Sequence, residues 1–468
     1  MSKEPHELSA AELSAAYESH LISPVEVAES CLARIEALDA EVNAFCLVDA
    51  SASLQAAEES EARWAVDEPL SPLDGVPVAV KDLLLTEGWA TRRGSLTIEP
   101  NGPWTEDAPS VARLREAGAV LIGKTTTPEF GWKGSTDSPL TGITRNPWNK
   151  AKTPGGSSGG SSAALAARFA PLALGTDGGG SIRIPASFSG VYGLKPSFGR
   201  VPAYPLSPFG TVAHVGPMSR TVRDSALLMN VVTRPDARDW HALQYDGTDY
   251  GQRLGEGLKG KRIAFSPRLG YVERVVAEVE SLVSAAAKRF SELGAHVEQI
   301  DPGLGDPGPT FRTVWWAGAG LLLGDLPAEK MELLDPGLRR MTEEGRALSL
   351  KTYLTANAVR GAYGSRMRQF MEGYDFLLTP AVATPAFDVG QLTPLDDDGN
   401  AWMAWTPFSF PFNLTQQPAA SINCGFTREG LPVGLQIVGR MFDDAGVLAA
   451  SAAYETAYPT YELVPPGF

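Results

Sequence analysis

Apolar positions in the first third of the chain recur at helical spacing, and capping residues punctuate them. Ser9 precedes AAELSAAYESHL, and Ser23 with Pro24 precedes VEVAESCLARIEALD. In each case a serine oxygen is available for the unpaired N–H groups of a first turn, and proline suits the first helical position. Val27, Cys31, Ile35 and Leu38 share one face, which makes Cys31 a core residue rather than a reactive thiol. An acidic helix is predicted over Ala50–Trp64. The pattern then changes to LDGVPVAVKDLLL (73–85), a short β-rich run ending in a lysine. Residues 107–135 read as a helix (DAPSVARLREAGA), a strand (VLIGKTT) and an irregular segment.

The same alternation returns around TDGGGSIR and KRIAFSPR (261–268), and residues 277–293 form a strongly amphipathic stretch leading into HVEQI. A strand, a helix and a second strand make a βαβ unit, so the rhythm predicts an α/β fold with a parallel portion in its sheet. Residues 234–260 are polar, glycine-rich and weakly periodic, a surface excursion. The segment 302–399 departs from a generic scaffold. It holds TFRTVWWAGAGLLL, a basic helix around SRMRQFMEGYDFLLTP and proline-rich loops. Trp315, Trp316, Trp402, Trp405, Phe408 and Phe410 bring much aromatic surface to this half. Most such residues belong to a core; about a third are expected to touch substrate, since pockets are commonly aromatic-lined.

Composition narrows the class. A chain of 468 residues with 43% hydrophobic and 20% charged residues has ample material for a large core. Its formal net charge of −15 argues against nucleic acid, whose phosphates would be repelled. No apolar run approaches a membrane span, and SKEPHELSA after Met1 does not read as a signal peptide, so the expected place is the cytoplasm. Three cysteines cannot all pair, and the five histidines show no ligand spacing, so neither a metal nor a cofactor is expected. No Ser-His-Asp arrangement is evident, and His214 is at most a supporting neighbour.

The chemistry concentrates in residues 153–196, TPGGSSGGSSAALAARFAPLALGTDGGGSIRIPASFSGVYGLKP. Two glycine-serine clusters are joined by an apolar segment long enough for one helix, which would set their separation. Glycine lets backbone N–H groups approach a ligand closely, and serine adds a hydroxyl that attacks once a base activates it. A flexible linker would not alternate with AALAARFAPLAL. A nucleophile elbow needs a strand before GGSSG, where TRNPWNKAKTP is a polar loop, and a phosphate loop needs lysine where Ser161 stands. With histidine set aside another base is needed, and Lys81, read from its own motif alone, is a solvated lysine at a strand end. A lysine buried among apolar groups and hydroxyls loses its charge readily, and strand alternation would turn the neighbouring Asp82 away from it.

These motifs, GGSSGGSS, GTDGGGSIRIP beginning 18 residues after Ser157, and GLKP, resemble the signature region of the amidase signature family. The likeness extends to GVPVAVKD with Lys81 76 residues before Ser157, to KTTTPEFG, NPWN and PAASINCGFTREGLPVGLQIVG, and to Ser181 24 residues after Ser157. The resemblance implies a single amidase domain over 1–468: a large mixed β-sheet flanked by helices on both faces. Residues 1–65 would be an N-terminal helical segment, 66–232 the catalytic core and 302–400 a variable substrate-shaping region. It implies amide hydrolysis through an acyl-enzyme in a Ser-cisSer-Lys triad, with Ser181 as nucleophile, Ser157 as bridging serine and Lys81 as base. Backbone N–H groups of Gly178, Gly179, Gly180 and Ser181 would face the oxyanion. Ser158, Asp177 and Arg183 would hold the loops in shape.

The expected partner is a small-molecule amide, aryl or otherwise apolar, with esters and carbamates as further candidates; a homodimer is the family-level expectation. The main alternative is the amidase component of a glutamine-dependent tRNA amidotransferase. Ile184 stands where such components usually carry glutamine, and Ala213 where they usually carry aspartate, which favours a less polar amide. A catalytically silent binding protein of the same fold is the third reading, and the intact Lys81, Ser157 and Ser181 speak against it. Gly178 also departs from the family, which more often has a side chain there.

Overall fold

The computed structural model describes residues 3–394 and 401–468; the end of the 302–400 segment thus lies outside the described residues. Both predicted N-terminal caps are present. Ser9 accepts the Glu12 N–H at the start of Ala10–Glu18, and Ser23 accepts the Glu26 N–H at the start of Pro24–Val42, each in a reciprocal capping box. Cys31 is fully buried between these helices and the sheet.

Eleven strands form one mixed sheet: β1 (Phe45–Val48), β2 (Pro77–Lys81), β3 (Val120–Thr125), β4 (Leu172–Asp177), β5 (Tyr192–Lys195), β6 (His214–Ser219), β7 (Arg262–Phe265), β8 (His296–Gln299), β9 (Phe376–Pro380), β10 (Ala419–Phe426) and β11 (Pro432–Gly439). Their spatial order is β1-β3-β2-β4-β6-β5-β10-β11-β9-β7-β8. Strand β2 runs parallel to both β3 and β4, and β7 runs parallel to both β8 and β9. The remaining pairs are antiparallel. The predicted βαβ unit is β7, the helix Ala277–Glu292 and β8. Every residue of β2, β3, β6, β9 and β11 is buried, so helices cover both faces of the central sheet. Residues 234–260 contain neither helix nor strand.

The segment between the glycine clusters differs from the single helix expected there. The helix Gly159–Ala166 begins inside the first cluster, and the chain then forms β4 before reaching the second. Glycine is tolerated in that helix because the backbone is pressed against its neighbours. A Cβ on Gly160 would sit 2.5 Å from the Thr126 nitrogen and 2.6 Å from the Ala44 oxygen. The stretch PLALGTD becomes a strand because it fills the slot between β2 and β6, where pairing on both edges outweighs local propensity.

A second apolar cluster lies beside the main core. It joins Phe209, Phe311, Trp315, Trp402, Trp405 and Phe410 with the helices Gly308–Leu323 and Pro336–Arg346. Among the described residues no helix is long and apolar enough to cross a membrane.

Candidate active site

Lys81 ends β2, and its position there is dictated by pairing with β3 and β4 on either side. Its side chain is fully buried. Nζ lies 2.7 Å from Ser157 Oγ, 2.9 Å from Ser158 Oγ and 2.9 Å from Thr176 Oγ1. Burial drives the Lys81 ammonium well below its ordinary value, opposed only by the more distant charge of Asp177. Asp82 takes no part: it lies in the turn just past the end of β2, where its carboxylate lies 3.6 Å from Lys124 Nζ and accepts the Gly94 N–H. Its direction is set by that turn rather than by the strand alternation expected for it.

The loop before the helix Gly159–Ala166 delivers both serines, and the Gly156–Ser157 peptide is cis. Lys81 is the hydrogen-bonding partner of the Ser157 hydroxyl. Ser158 is engaged twice more, by the Thr176 backbone oxygen and N–H at 3.2 and 3.3 Å, and its own N–H donates to the Ser181 carbonyl at 3.1 Å. Ser158 therefore ties the lysine, β4 and the second glycine cluster together. Thr176 was not legible as a Lys81 partner, since its only sequence signal is its place before Asp177 at a strand end.

Asp177, the last residue of β4, anchors the second cluster. Its carboxylate accepts N–H groups of Gly180 at 2.7 Å and Ile182 at 3.1 Å, a paired grip from Arg183 at 2.9 and 3.0 Å, and Asn413 Nδ2 at 2.8 Å. Burial alone would raise this carboxyl, but Arg183 and Asn413 override it and hold it well below the usual carboxylate range. Arg183 also donates to Gln436 Oε1, Asn413 Oδ1 and the Ser409 carbonyl. All these partners are buried and distant in sequence, so nothing local to Arg183 announces the network.

The expected oxyanion donors divide into two groups. The Gly180 N–H is spent on Asp177, whereas those of Gly178, Gly179 and Ser181 have no partner among the described residues. Gly180 holds φ +124°, a conformation that favours glycine, and any Cβ there would meet Ser409 Oγ at 2.4 Å. His214 sends Nδ1 toward the Val212 and Asp177 carbonyls at 2.8 and 3.2 Å, and its Nε2 lies 3.4 Å from Lys195. Burial keeps the ring neutral.

Ser157, Thr176, Gly178 and Ser181 open into a cavity of about 630 Å³. Its walls are apolar and aromatic, with Phe130, Phe198, Tyr204, Phe209 and Trp315 among them, and Ala213 also faces it. Of the six aromatics singled out in the sequence, Trp315 lines this cavity, stacked on Phe209 with ring centroids 3.9 Å apart. Trp402, Trp405, Phe408 and Phe410 are buried in the apolar clusters, and Trp316 packs partly buried against Arg312 and Glu344. The aromatic wall comes largely from residues 198–209. No group of three or more His, Cys, Asp or Glu side chains able to hold a metal occurs among the described residues.

Known proteins share both this sequence and this architecture. The family model for Amidase matches residues 26–448. An acylamidase of Rhodococcus erythropolis is 37% identical over 467 residues, covering 98% of this chain and 97% of that protein. A glutamyl-tRNA(Gln) amidotransferase subunit from Myxococcus xanthus is 36% identical over 486 residues, covering 98% and 99%. Among solved structures, a bacterial aryl acylamidase of the amidase signature enzymes superposes with a TM-score of 0.93 at 32% identity, covering 100% of both chains.

Proposed function

Because the chain belongs to the amidase family, whose members hydrolyse amide C–N bonds, we propose that it cleaves an apolar, aryl-type amide through an acyl-enzyme on Ser181. The observation that carries this reading is the buried Lys81 amine, which touches no carboxylate among the described residues and lies 2.7 Å from the Oγ of Ser157, a residue lining the aromatic cavity.

A neutral amine has two N–H donors and one lone pair. With three hydroxyl oxygens around Lys81, two accept and one donates to the lone pair. Ser158 already donates to the Thr176 carbonyl. Neither the Ser157 nor the Thr176 hydroxyl has an acceptor other than Lys81 among the described residues, and Ser157, the bridging serine of the triad that the resemblance implies, is assigned the proton that moves. As Ser181 Oγ attacks the acyl carbon, its proton passes to Ser157 and the Ser157 proton passes to Lys81. The unpartnered N–H groups of Gly178, Gly179 and Ser181 are the donors for the oxyanion, with Gly180 reserved for shaping the loop. The relay then returns a proton to the leaving nitrogen, the C–N bond breaks, and water repeats the sequence on the acyl-enzyme.

The reading as an amidotransferase component has the similarity to the Myxococcus xanthus protein in its favour. Against it stand Ile184, buried with its side chain packed on the Gly155 and Gly180 backbones, and Ala213 on the cavity wall. Neither offers a polar group to a glutamine side chain. A panel of nitroanilides, aliphatic amides, nitrophenyl esters and carbamates, with glutamine included and Ser181→Ala as blank, tests both readings on the isolated chain. Anilide turnover supports the proposal; glutaminase activity without anilide turnover overturns it. Fluorophosphonate treatment followed by mass spectrometry is expected to place the adduct on Ser181, and an adduct on Ser157 would exchange the two roles.

A further inference from the structure

Outside the proton relay, the cavity wall carries one cation without a partner among the described residues. Arg93 lines the cavity alongside Leu83 and Phe130. Its backbone is pinned, the carbonyl accepting the Phe130 N–H at 2.8 Å, and it holds φ +55°, a region that residues other than glycine rarely occupy. Such conformations persist where the surroundings enforce them, and they concentrate at functional sites. The guanidinium makes no hydrogen bond and no ion pair with any described residue. Asp82, the acid that acts on it, is already paired with Lys124. Burial accordingly lowers the Arg93 guanidinium from its ordinary value.

Other arginines without partners, such as Arg223, Arg234 and Arg340, are exposed, where water meets their needs. Arg93 is not exposed, and it lines a largely apolar cavity with the five donors of its fork unpaired among the described residues. Asp239, the one acid lining that cavity among the described residues, is occupied by the N–H groups of Ala203 and His241. A half-desolvated charge left this way is unfavourable until something supplies the opposite charge.

We infer that Arg93 is a specificity residue that receives an anionic group of the substrate, so that the preferred substrate is an apolar amide carrying a carboxylate. This deepens the amide-hydrolase reading above and rests on it. A planar carboxylate matches the guanidinium in a two-point hydrogen bond, and the apolar walls hold the rest of the molecule.

Two matched pairs test the inference: 4-acetamidobenzoate against 4-methylacetanilide, with the charge on the amine side, and glutaric acid monoanilide against pentananilide, with the charge on the acyl side. For at least one pair, the ratio of kcat/KM for the anionic over the neutral member is expected to fall ~10- to 100-fold in Arg93→Gln. Arg93→Lys should recover part of it, and the change should sit in KM. An unchanged ratio in both pairs, or equal loss on both members, overturns the inference. Calorimetric binding of the two anionic compounds to Ser181→Ala, with and without Arg93→Gln, reads the subsite without turnover. Binding that depends on Arg93 without hydrolysis in the parent enzyme would sink the hydrolase reading and keep the anion site. Hydrolysis with no dependence on Arg93 would do the reverse.

Discussion

At the scale of single residues, the proposal turns on a lysine that surrenders its proton. Lys81→Ala, Ser157→Ala and Ser181→Ala are each expected to lower kcat by ~10⁴-fold or more while the fold persists, as circular dichroism would register. Lys81→Arg should be equally inactive at every pH, because a guanidinium does not deprotonate in this range. The wild-type kcat/KM should fall about tenfold per pH unit on the acid side of the depressed Lys81 value and level off above it. The same shift sets a stability trend. Between that depressed value and the ordinary 10.5, the unfolded chain binds a proton at this side chain and the folded chain does not. Falling pH through that window therefore removes stability, and denaturant titrations across it should show a shallower slope in Lys81→Met. A slope unchanged by that substitution would mean the amine is charged in the folded state.

At the scale of elements, the second glycine cluster and the helix Gly308–Leu323 constrain one another. A Cβ on Gly178 would meet the Trp315 ring at 2.6 Å, and one on Gly179 would meet Phe311 at 2.8 Å. The departure at Gly178, noticeable in the sequence only as a missing side chain, is thus the complement of a tryptophan far along the chain. We expect Gly178→Ala to lower kcat/KM by ~10-fold or more by displacing the N–H donors of the loop. Combining it with Trp315→Leu should recover activity, so the two effects should fail to add. Additive losses in that cycle would place the defect elsewhere. The helix termini belong to the opposite category: Ser9 and Ser23 were readable as caps because capping depends on residues three positions apart.

At the scale of the whole molecule, Arg183 joins β4, β11 and the segment 409–413 through Asp177, Gln436, Ser409 and Asn413. Removing one partner of such a buried network leaves charge uncompensated, so Arg183→Met should cost about 3–5 kcal/mol of stability by denaturant titration. It should also reduce activity, since Asp177 holds Gly180 and Ile182. Loss of Arg183 without any stability change would mean that water replaces it. The same unity predicts that the isolated chain turns over an anilide with no second protein present.

The α/β alternation, the capped N-terminal helices and the parallel β7–β8 unit were legible in the chain because periodicity and capping are local properties. The clustering of Lys81 with two glycine-serine loops was likewise visible as motifs in order. Tertiary structure alone decided that PLALGTD is a strand, that Thr176 and Ser158 share the lysine, and that Gly180 serves Asp177 rather than the cavity. It alone set the aromatic wall from residues 198–209 and left the Arg93 guanidinium without a hydrogen bond or ion pair among the described residues. The physical reason is one of range. Hydrogen-bond partners and burial are settled by residues brought together across the sheet, and a side chain's charge state follows from what surrounds it in space rather than from what precedes it in the chain.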